Sequence, residues 1–306
     1  MLRFGFSAII VSARCPWGLS SAAERTVHIR EVTGSNPVAP TILLADWQTR
    51  TILLHEVLAM KVTILGKYSP FPPVGGACLS YWVESKGTGI LVDCGPGALA
   101  KFQEYVGPLS KIDVVILSHL HFDHIGDALV LRYAAAAAPR DSRLPSKVTV
   151  YAPNEPEQEF SYLNYKEAMS VVPVAPGDSI SLGGIKVDFF LGNHPLRSHA
   201  MRFEDESGIF AYSGDSTPCQ DLIDAASGAD LFLCEAAGTE AEKAMIEAAH
   251  CTGKQAGMVA KEAGAKRLLL THLWPFTDES LLKKECAEVF PNVEIAREGA
   301  SYEVGS

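Results

Sequence analysis

Residues 118–127, Ser-His-Leu-His-Phe-Asp-His-Ile-Gly-Asp, place three histidines and two carboxylates directly after the apolar run at residues 112–117. Imidazole nitrogen and carboxylate oxygen bind zinc and similar ions, and a catalytic zinc site keeps one coordination position open for water. A single His is often only a hydrogen-bonded core residue, but burying several titratable groups together is costly unless a metal or opposite charges compensate. The decapeptide therefore predicts a metal-binding loop at the end of a buried strand.

The spacing within this loop can serve one ion or two. His119 and His121 alternate with Leu120, so both imidazoles leave the same face of an extended segment. Asp123 and His124 come where the chain turns into the next predicted helix. One pair can therefore serve one ion and the second pair another.

Three later segments each place one further His or Asp just past an apolar run that predicts a strand. They are Asn-His-Pro at residues 193–195, Gly-Asp-Ser at residues 214–216 and Thr-His at residues 271–272. Loops that follow strand ends are where α/β proteins gather their site residues. The predicted set of metal ligands is His119, His121, Asp123, His124, His194, Asp215 and His272.

The elements that must position these residues can be predicted coarsely from hydrophobic periodicity and from Gly and Pro punctuation. The predicted strands are residues 61–65, 77–83, 89–92, 112–117, 147–151, 185–191, 200–203, 209–212, 231–234 and 267–271. The predicted helices are residues 125–138, 220–226, 240–249, 252–263 and 280–290. Nothing between residues 60 and 306 looks like a linker, and the hydrophobic content of 47% is ample for a core. We therefore expect a single domain over residues 60–306.

The complete pattern, His-x-His-x-Asp-His followed in order by a His, an Asp and a final His, resembles the metallo-β-lactamase superfamily. The resemblance covers residues 60–306 and implies an α/β fold, the four-layer αββα sandwich. It implies a first metal on His119, His121 and His194. It implies a second on Asp123, His124 and His272. Asp215 then bridges the two, and two zinc ions are expected, although manganese or iron suits the same ligands.

Two further residues resemble the ribonuclease Z branch of this superfamily. Glu235, in Leu-Cys-Glu-Ala, and His250, in Ala-His-Cys-Thr, match the Glu and the His-x-Thr that serve leaving-group protonation there. A carboxylate behind an imidazole orients it and favours its protonated form, as a general acid requires. The ordinary alternatives are a surface carboxylate at a strand end for Glu235 and a neighbour of a helix N-cap for His250. The predicted catalytic residues are Asp123, Asp215, Glu235 and His250.

Two residues have weaker assignments. Asp93, in Leu-Val-Asp-Cys-Gly, matches the family's early Asp, which orients the ligand loop from behind. A turn residue that precedes Gly95 is the alternative for Asp93. His199 could line the pocket, but an ordinary strand position is the favoured interpretation.

The chain also departs from ribonuclease Z. That enzyme carries a tRNA-gripping arm between the third His and the bridging Asp, whereas Asp215 follows His194 by only 21 residues. Residues 1–59 contribute +1 to the formal net charge of −10, from five Arg against four Asp or Glu, which leaves −11 for the rest. Lys and Arg contacts supply most affinity for a phosphate backbone, so an acidic body disfavours tRNA without excluding it.

The expected function is therefore a dinuclear metal-dependent hydrolase of the short ribonuclease Z-like type. Two ions about 3.5 to 4 Å apart share a bridging hydroxide in such sites. The favoured substrate is a small or cyclic phosphodiester, which makes the protein a phosphodiesterase. The alternatives are a tRNA 3′-processing endoribonuclease and a catalytically idle metal-binding module.

Residues 1–59 do not fit this domain. Gly-Ser-Asn-Pro-Val at residues 34–38 is encoded by GGT-TCG-AAT-CCC-GTN, which contains the TΨC-arm sequence of tRNA genes. We expect a disordered, non-native extension translated from an upstream tRNA gene, with the natural start at Met60. The competing interpretation is a targeting peptide, but the apolar run at residues 4–11 is very short for one.

The seven cysteines are odd in number, scattered, and without a Cys-x-x-Cys pair, which favours reduced thiols and a cytoplasmic location. No apolar run approaches about 18 residues, so no membrane partner is expected. The family resemblance alone suggests a possible homodimer.

Overall fold

The fold consists of two seven-stranded sheets, as seen in a computed structural model that describes residues 59–305. The predicted extension at residues 1–59 lies outside the described residues except for Ala59. The strands of the first sheet are β1 (Lys61–Gly66), β2 (Ser80–Ser85), β3 (Thr88–Val92), β4 (Val114–Ile116), β5 (Val148–Ala152), β6 (Met169–Pro173) and β14 (Ser301–Glu303). Those of the second sheet are β7 (Ser179–Leu182), β8 (Ile185–Leu191), β9 (His199–Asp205), β10 (Gly208–Tyr212), β11 (Leu231–Glu235), β12 (Leu268–Thr271) and β13 (Val293–Ile295).

The two sheets share one plan. The first has the order β14-β1-β2-β3-β4-β5-β6, antiparallel up to β3 and parallel from β3 to β6. The second has the order β13-β12-β11-β10-β9-β8-β7, antiparallel from β7 to β10 and parallel from β10 to β13. In each sheet the parallel strands end at a common edge, and side chains that follow them can meet there.

Residues 59–305 contain eight α-helices, most of which pack on the outer faces of the sheets. They are α1 (Ala98–Tyr105), α2 (Phe122–Ile125), α3 (Ala128–Ala136), α4 (Glu157–Tyr162), α5 (Gln220–Ala225), α6 (Lys243–Ile246), α7 (Gly253–Glu262) and α8 (Glu279–Ala287). Phe102 of α1 and Leu131 of α3 are buried against the first sheet, and Val259 of α7 and Leu282 of α8 against the second. Two sheets with helices outside each confirm the predicted αββα sandwich.

Alternation along the strands builds the three apolar layers of this sandwich. In β3, Ile90 and Val92 face the second sheet while Leu91 packs with the outer helices. In β11, Leu233 joins the layer between the sheets while Phe232 faces the helices. Because successive side chains point to opposite faces of a strand, a strand covered on both sides is apolar throughout.

Most predicted elements differ from the observed bounds by no more than three residues, and two predicted helices differ more. The strand predicted at residues 77–83 begins only at Ser80. The helix predicted at residues 125–138 is divided into α2 and α3, because the backbone N–H groups of Asp127 and Ala128 donate to the carbonyl of Cys94. The helix predicted at residues 240–249 contains only a 3-10 turn and the single turn α6.

Within residues 59–305, no helix is both long and apolar enough to cross a membrane. The six cysteines in this part of the chain are all free thiols.

Candidate metal centre

The candidate site lies where the parallel strands end. Asp93 follows β3, residues 118–124 follow β4, Asp215 follows β10 and His272 follows β12. His194 follows β8, which runs in the same direction as β10 because both are antiparallel to β9. One edge of the sandwich thus collects all seven predicted ligands.

Asp93 holds the ligand loop at residues 118–124 through hydrogen bonds. It is fully buried and accepts hydrogen bonds from the backbone N–H of Ser118 (2.8 Å), the Ser118 hydroxyl (2.9 Å) and the Tyr212 hydroxyl (2.7 Å). His124 Nδ1 lies 2.8 Å from Asp93 Oδ2. An imidazole that donates from Nδ1 presents Nε2 to a metal, and such a partner fixes both ring orientation and tautomer.

Local backbone geometry keeps these segments close. A Cβ at Gly95 would lie 1.8 Å from the carbonyl oxygen of Asp123, so only glycine allows the loop after β3 to touch the ligand loop. Asp93 and His272 adopt left-handed backbone, with φ of 52° and 59°. Few non-glycine residues do so, and such conformations concentrate at functional sites.

The structure divides the predicted ligands into two groups whose ligand atoms lie within 4.8 Å of one another. The first group is His119, His121, His194 and Asp215. The second group is Asp123, His124 and His272. In the first group, His121 Nδ1 lies 2.9 Å from His119 Nε2 and 3.4 Å from His194 Nε2. The carbonyl oxygen of Ala249 lies 3.1 Å from His194 Nδ1, which leaves His194 Nε2 for the group.

Asp215 lies between the two groups. Its Oδ2 is 3.5 Å from His119 Nε2 and 3.0 Å from His272 Nε2, and its Oδ1 is 3.4 Å from His124 Nε2. The side chain is only 2% exposed, so these imidazoles are its immediate surroundings. Its position agrees with the predicted bridging role, and bridging itself stays a prediction.

Buried polar atoms at this site fit a metal. Within the described residues, His124 Nε2, Asp215 Oδ1 and both ring nitrogens of His272 are buried without a hydrogen-bond partner. A buried polar atom without a partner is costly, and a divalent cation is the partner that imidazole nitrogen and carboxylate oxygen share. The arrangement therefore supports divalent metal binding.

The two groups differ electrostatically. Burial lowers the pKa of His121 and His194. Burial and the adjacent His124 hold the pKa of His119 well below its usual range, although Asp215 opposes them. The three imidazoles of the first group are therefore neutral, which is the form that binds a metal.

The second group holds protons when no metal is present. Burial alone would lower the pKa of His124, but the carboxylates of Asp215, Asp93 and Asp123 outweigh it and raise the value well above the usual range. Against the same burial, Asp215 is the main cause that raises the pKa of His272 to about 9. In return, His272 and His124 hold the pKa of Asp215 well below its usual range despite burial.

Glu235 and His250 meet beside these groups. Glu235 is fully buried, and its Oε1 lies 3.2 Å from His250 Nδ1. The same carboxylate accepts from the backbone N–H groups of Ser216 (2.7 Å) and Cys251 (3.1 Å), so it also holds the loop that carries Asp215. A surface carboxylate, the ordinary alternative for Glu235, is therefore wrong, and its catalytic role stays a prediction.

His250 lies closer to the ligands than the sequence indicated. Its Nδ1 is 3.9 Å from Asp215 Oδ2, and its ring centroid is 4.8 Å from that of His272. Together with Asp215 and His272 it forms a third group with metal-ligand spacing. Thr252 is the N-cap of α7, so His250 lies two residues before that cap.

The sequence missed Ser69, whose hydroxyl donates to Asp123 Oδ2 at 2.7 Å. Ser69 also lines a cleft of about 400 Å³ that reaches the site. The other lining residues are Pro70, Ala237, Glu242, Met245, Ile246, His250, His272 and Trp274. The structure places His199 at the start of β9, buried, with Phe189 edge-on at 5.8 Å, and not among the residues of this cleft.

Comparison with known proteins identifies the family. A sequence profile of the beta-lactamase superfamily domain matches residues 88–273. The probable metallo-hydrolase YhfI of Bacillus subtilis is 35% identical over 245 residues, which cover 80% of this chain and 100% of that protein. The chain therefore belongs to the beta-lactamase superfamily, and its homologue YhfI is a probable metallo-hydrolase.

Further similarities are to solved structures and to ribonuclease Z. The crystal structure of the metallo-β-lactamase fold protein YhfI from Bacillus subtilis matches with a TM-score of 0.73 at 34% identity, covering 80% of this chain and 99% of that chain. Ribonuclease Z of Methanopyrus kandleri is 27% identical over 258 residues, which cover 72% of this chain and 90% of that protein. A diphosphatase of the PhnP family shares the fold, with a TM-score of 0.61 at 20% identity over 80% of this chain and 97% of that chain.

Proposed function

We propose that the protein is a dinuclear metal-dependent phosphodiesterase that hydrolyses a small or cyclic phosphodiester. The observation that carries this proposal is the position of Asp215, whose two carboxylate oxygens reach a separate group of potential ligands on each side. When bound, two such ions supply an activated water and stabilise negative charge on a phosphoryl oxygen. We propose zinc for both positions, with His119, His121 and His194 at one and Asp123, His124 and His272 at the other.

The chain's own residues have distinct tasks in this proposal. Asp93 orients His124, and Glu235 orients His250 beside the cleft. His250 donates a proton from its ring to the oxygen of the departing alcohol, which a poor leaving group requires. The buried side chains around Asp215 exclude water, and electrostatic interactions strengthen when water is excluded.

The shape and charge of the site favour a small substrate. The residues between His194 and Asp215 are taken up largely by β9 and β10, a compact hairpin in the second sheet. No Lys or Arg is among the residues that line the cleft. A tRNA needs an extended basic surface, which is absent from this cleft.

Two alternatives remain. Ribonuclease Z relatives support tRNA 3′ processing, and a metal-holding module without catalysis would need only the ligands. Such idle relatives usually lose ligands, whereas every predicted ligand is present here.

The decisive experiment compares zinc-loaded protein on bis(p-nitrophenyl) phosphate and on a precursor tRNA. We expect turnover of the diester and no cleavage of the tRNA. Asp215→Ala should lower kcat/KM on the diester at least about a thousandfold, because it removes the carboxylate shared by both groups. Asp188→Ala, at a partly exposed position of β8 outside the cleft lining, is the control and should retain activity. Full turnover by Asp215→Ala would refute the dinuclear mechanism, and specific tRNA cleavage would favour the first alternative.

A further inference from the structure

Three aromatic side chains form an exposed cluster beside the cleft, here called the aromatic rim: Phe71, Trp274 and Phe276. Their exposed fractions are 40%, 42% and 77%. Trp274 stands edge-on to Phe71 with ring centroids 5.4 Å apart, and Phe276 lies 6.0 Å from Phe71 and 6.1 Å from Trp274. Large contiguous exposed apolar patches often mark binding sites.

The aromatic rim is continuous with the candidate metal centre. Trp274 lines the same cleft as His250 and His272, and it follows His272 by two residues. The cleft also has apolar side chains from Met245 and Ile246. Its volume of about 400 Å³ lies within the range of small-ligand pockets, about 300–1,000 Å³.

Backbone hydrogen bonds fasten the rim to the ligands. Leu273 N–H donates to the carbonyl of Lys67 at 2.9 Å, and Ser69 N–H donates to the carbonyl of Leu273 at 3.1 Å. Ser69 in turn donates its hydroxyl to Asp123. The segments that carry Phe71 and Trp274 are therefore bonded to each other and to Asp123 of the second ligand group.

The charges along the cleft limit what the rim can recognise. Glu242 is the one acid among the lining residues, and its Oε2 already accepts from the backbone N–H and the hydroxyl of Thr239. With no Lys or Arg in the lining, a substrate with several phosphates finds no cation away from the metals. A substrate with one phosphodiester and a flat, uncharged body matches this surface.

We propose that the aromatic rim is a stacking platform for the base of a nucleoside phosphodiester. This inference rests on the proposed phosphodiesterase function and specifies its substrate class. Stacking on an aromatic ring tolerates any base, because every base has a π-face. The enzyme therefore prefers nucleoside diesters over diesters without a base, and discriminates little between purines and pyrimidines.

The test compares Trp274→Ala and Trp274→Phe with the wild type. The substrates are 3′,5′-cyclic AMP, 3′,5′-cyclic CMP and glycerophosphocholine, which has no base. In Trp274→Ala, KM for both cyclic nucleotides should rise about tenfold or more relative to any change on glycerophosphocholine, and kcat should change far less. Trp274→Phe should recover most of the loss, because it retains an aromatic face. The control Tyr133→Ala removes an aromatic side chain of α3 that is 52% exposed, against 42% for Trp274, and should not alter the ratio.

Binding provides an independent measurement. Calorimetric titration with the hydrolysis-resistant Rp phosphorothioate of cyclic AMP should show about tenfold weaker binding to zinc-loaded Trp274→Ala than to wild type. If the wild type hydrolyses no diester, the proposed function fails, and this titration still decides the platform. Absent binding, or equal binding to both proteins, overturns it.

Two further results overturn the platform. Equal losses on cyclic nucleotides and glycerophosphocholine would show that Trp274 only supports His272. A dimeric wild type that becomes monomeric in Phe71→Ala/Trp274→Ala would show that the rim is a subunit interface.

Discussion

The floor and the rim of the cleft are built from different interactions. On the floor, Asp93, Ser118 and His124 are fully buried and joined at 2.8 to 2.9 Å, with Asp215 above them. At the rim, Phe71 and its aromatic neighbours are 40% to 77% exposed and meet through ring contacts. Charge-assisted bonds in a buried setting fix atoms closely, whereas apolar contact is not directional.

This difference separates two properties of the site. The floor contains the candidate metal ligands and the charged groups that set the protonation state of their imidazoles. In our proposal, the rim binds the part of the substrate that lies away from the phosphodiester. Substitutions on the floor should therefore change metal content, and substitutions toward the rim should change substrate preference with the metals retained.

His250 lies between floor and rim and gives the largest expected effect. In His250→Ala, turnover of cyclic AMP should fall about 10²- to 10⁴-fold, because the ribose oxygen leaves poorly without a proton. Turnover of bis(p-nitrophenyl) phosphate should fall far less, since p-nitrophenolate leaves unprotonated. Steady-state kinetics on the two substrates measures the contrast, and metal analysis should show an unchanged zinc content.

Glu247→Ala is the control for this substitution, because Glu247 is exposed on the same segment and does not line the cleft. A loss of zinc in His250→Ala would place His250 among the ligands of the floor, as its spacing to Asp215 and His272 allows. Equal losses on the two substrates would contradict a general acid.

The floor should show a pH dependence that its two groups do not share. The first ion meets neutral imidazoles, whereas the second displaces protons from His124 and from His272, whose pKa is raised to about 9. Affinity for the second ion should therefore fall about tenfold per pH unit for each displaced proton between pH 9 and 6.5, and affinity for the first should change little. Zinc titration against a competing chelator at several pH values measures both.

The same shift affects the metal-free protein in the opposite direction. The folded pKa of His272 is raised above its ordinary value of about 6.5, so its stabilising contribution is complete below pH 6.5 and is lost as pH rises through 9. The melting temperature without metal should thus fall from pH 6.5 to 9.5. His272→Gln should show a shallower fall, and an equal fall in both proteins would contradict this assignment.

The floor could be predicted from sequence because its chemistry requires particular residue types at particular spacings. The loop from His119 to His124, and single residues after strands such as Asp215, identified the family and the fold. Their ligand roles are still predictions, although the structure brings them together. Glu235 was found through its resemblance to the ribonuclease Z branch, but its bonds to two backbone N–H groups are seen only in the folded chain.

The rim and the sheet edges could not be predicted in this way. Phe71 and Trp274 are in contact only because the loops after β1 and β12 pair, and no sequence motif predicts that pairing. The edge strands β13 and β14 have three residues each, and register with neighbours rather than local pattern defines them. Helix α1 was also not predicted, although its own residue Phe102 is buried against the first sheet.

Ser69 joins rim to floor and gives the smallest expected effect. Its loop carries Phe71, its N–H pairs with Leu273, and its hydroxyl donates to Asp123. Ser69→Ala removes one hydrogen bond to a carboxylate that the structure assigns to the second group. We expect affinity for the second ion to fall about tenfold, with the first ion retained, since a hydrogen bond to a charged group contributes about 1.5–3 kcal/mol. Zinc titration with stoichiometry resolves the two ions.

Ser301→Ala removes one hydroxyl hydrogen bond, to Thr63, on the edge strand β14 and should leave both affinities unchanged. If Ser69→Ala keeps both zinc affinities but loses the preference for nucleoside diesters, Ser69 acts only through the position of the aromatic rim. In that case floor and rim are independent at this point, because a side chain bonded to both would not affect the metals. A loss in both measurements would instead mean that substrate preference and metal binding are coupled through Asp123, and the separation of floor and rim would be wrong at this point.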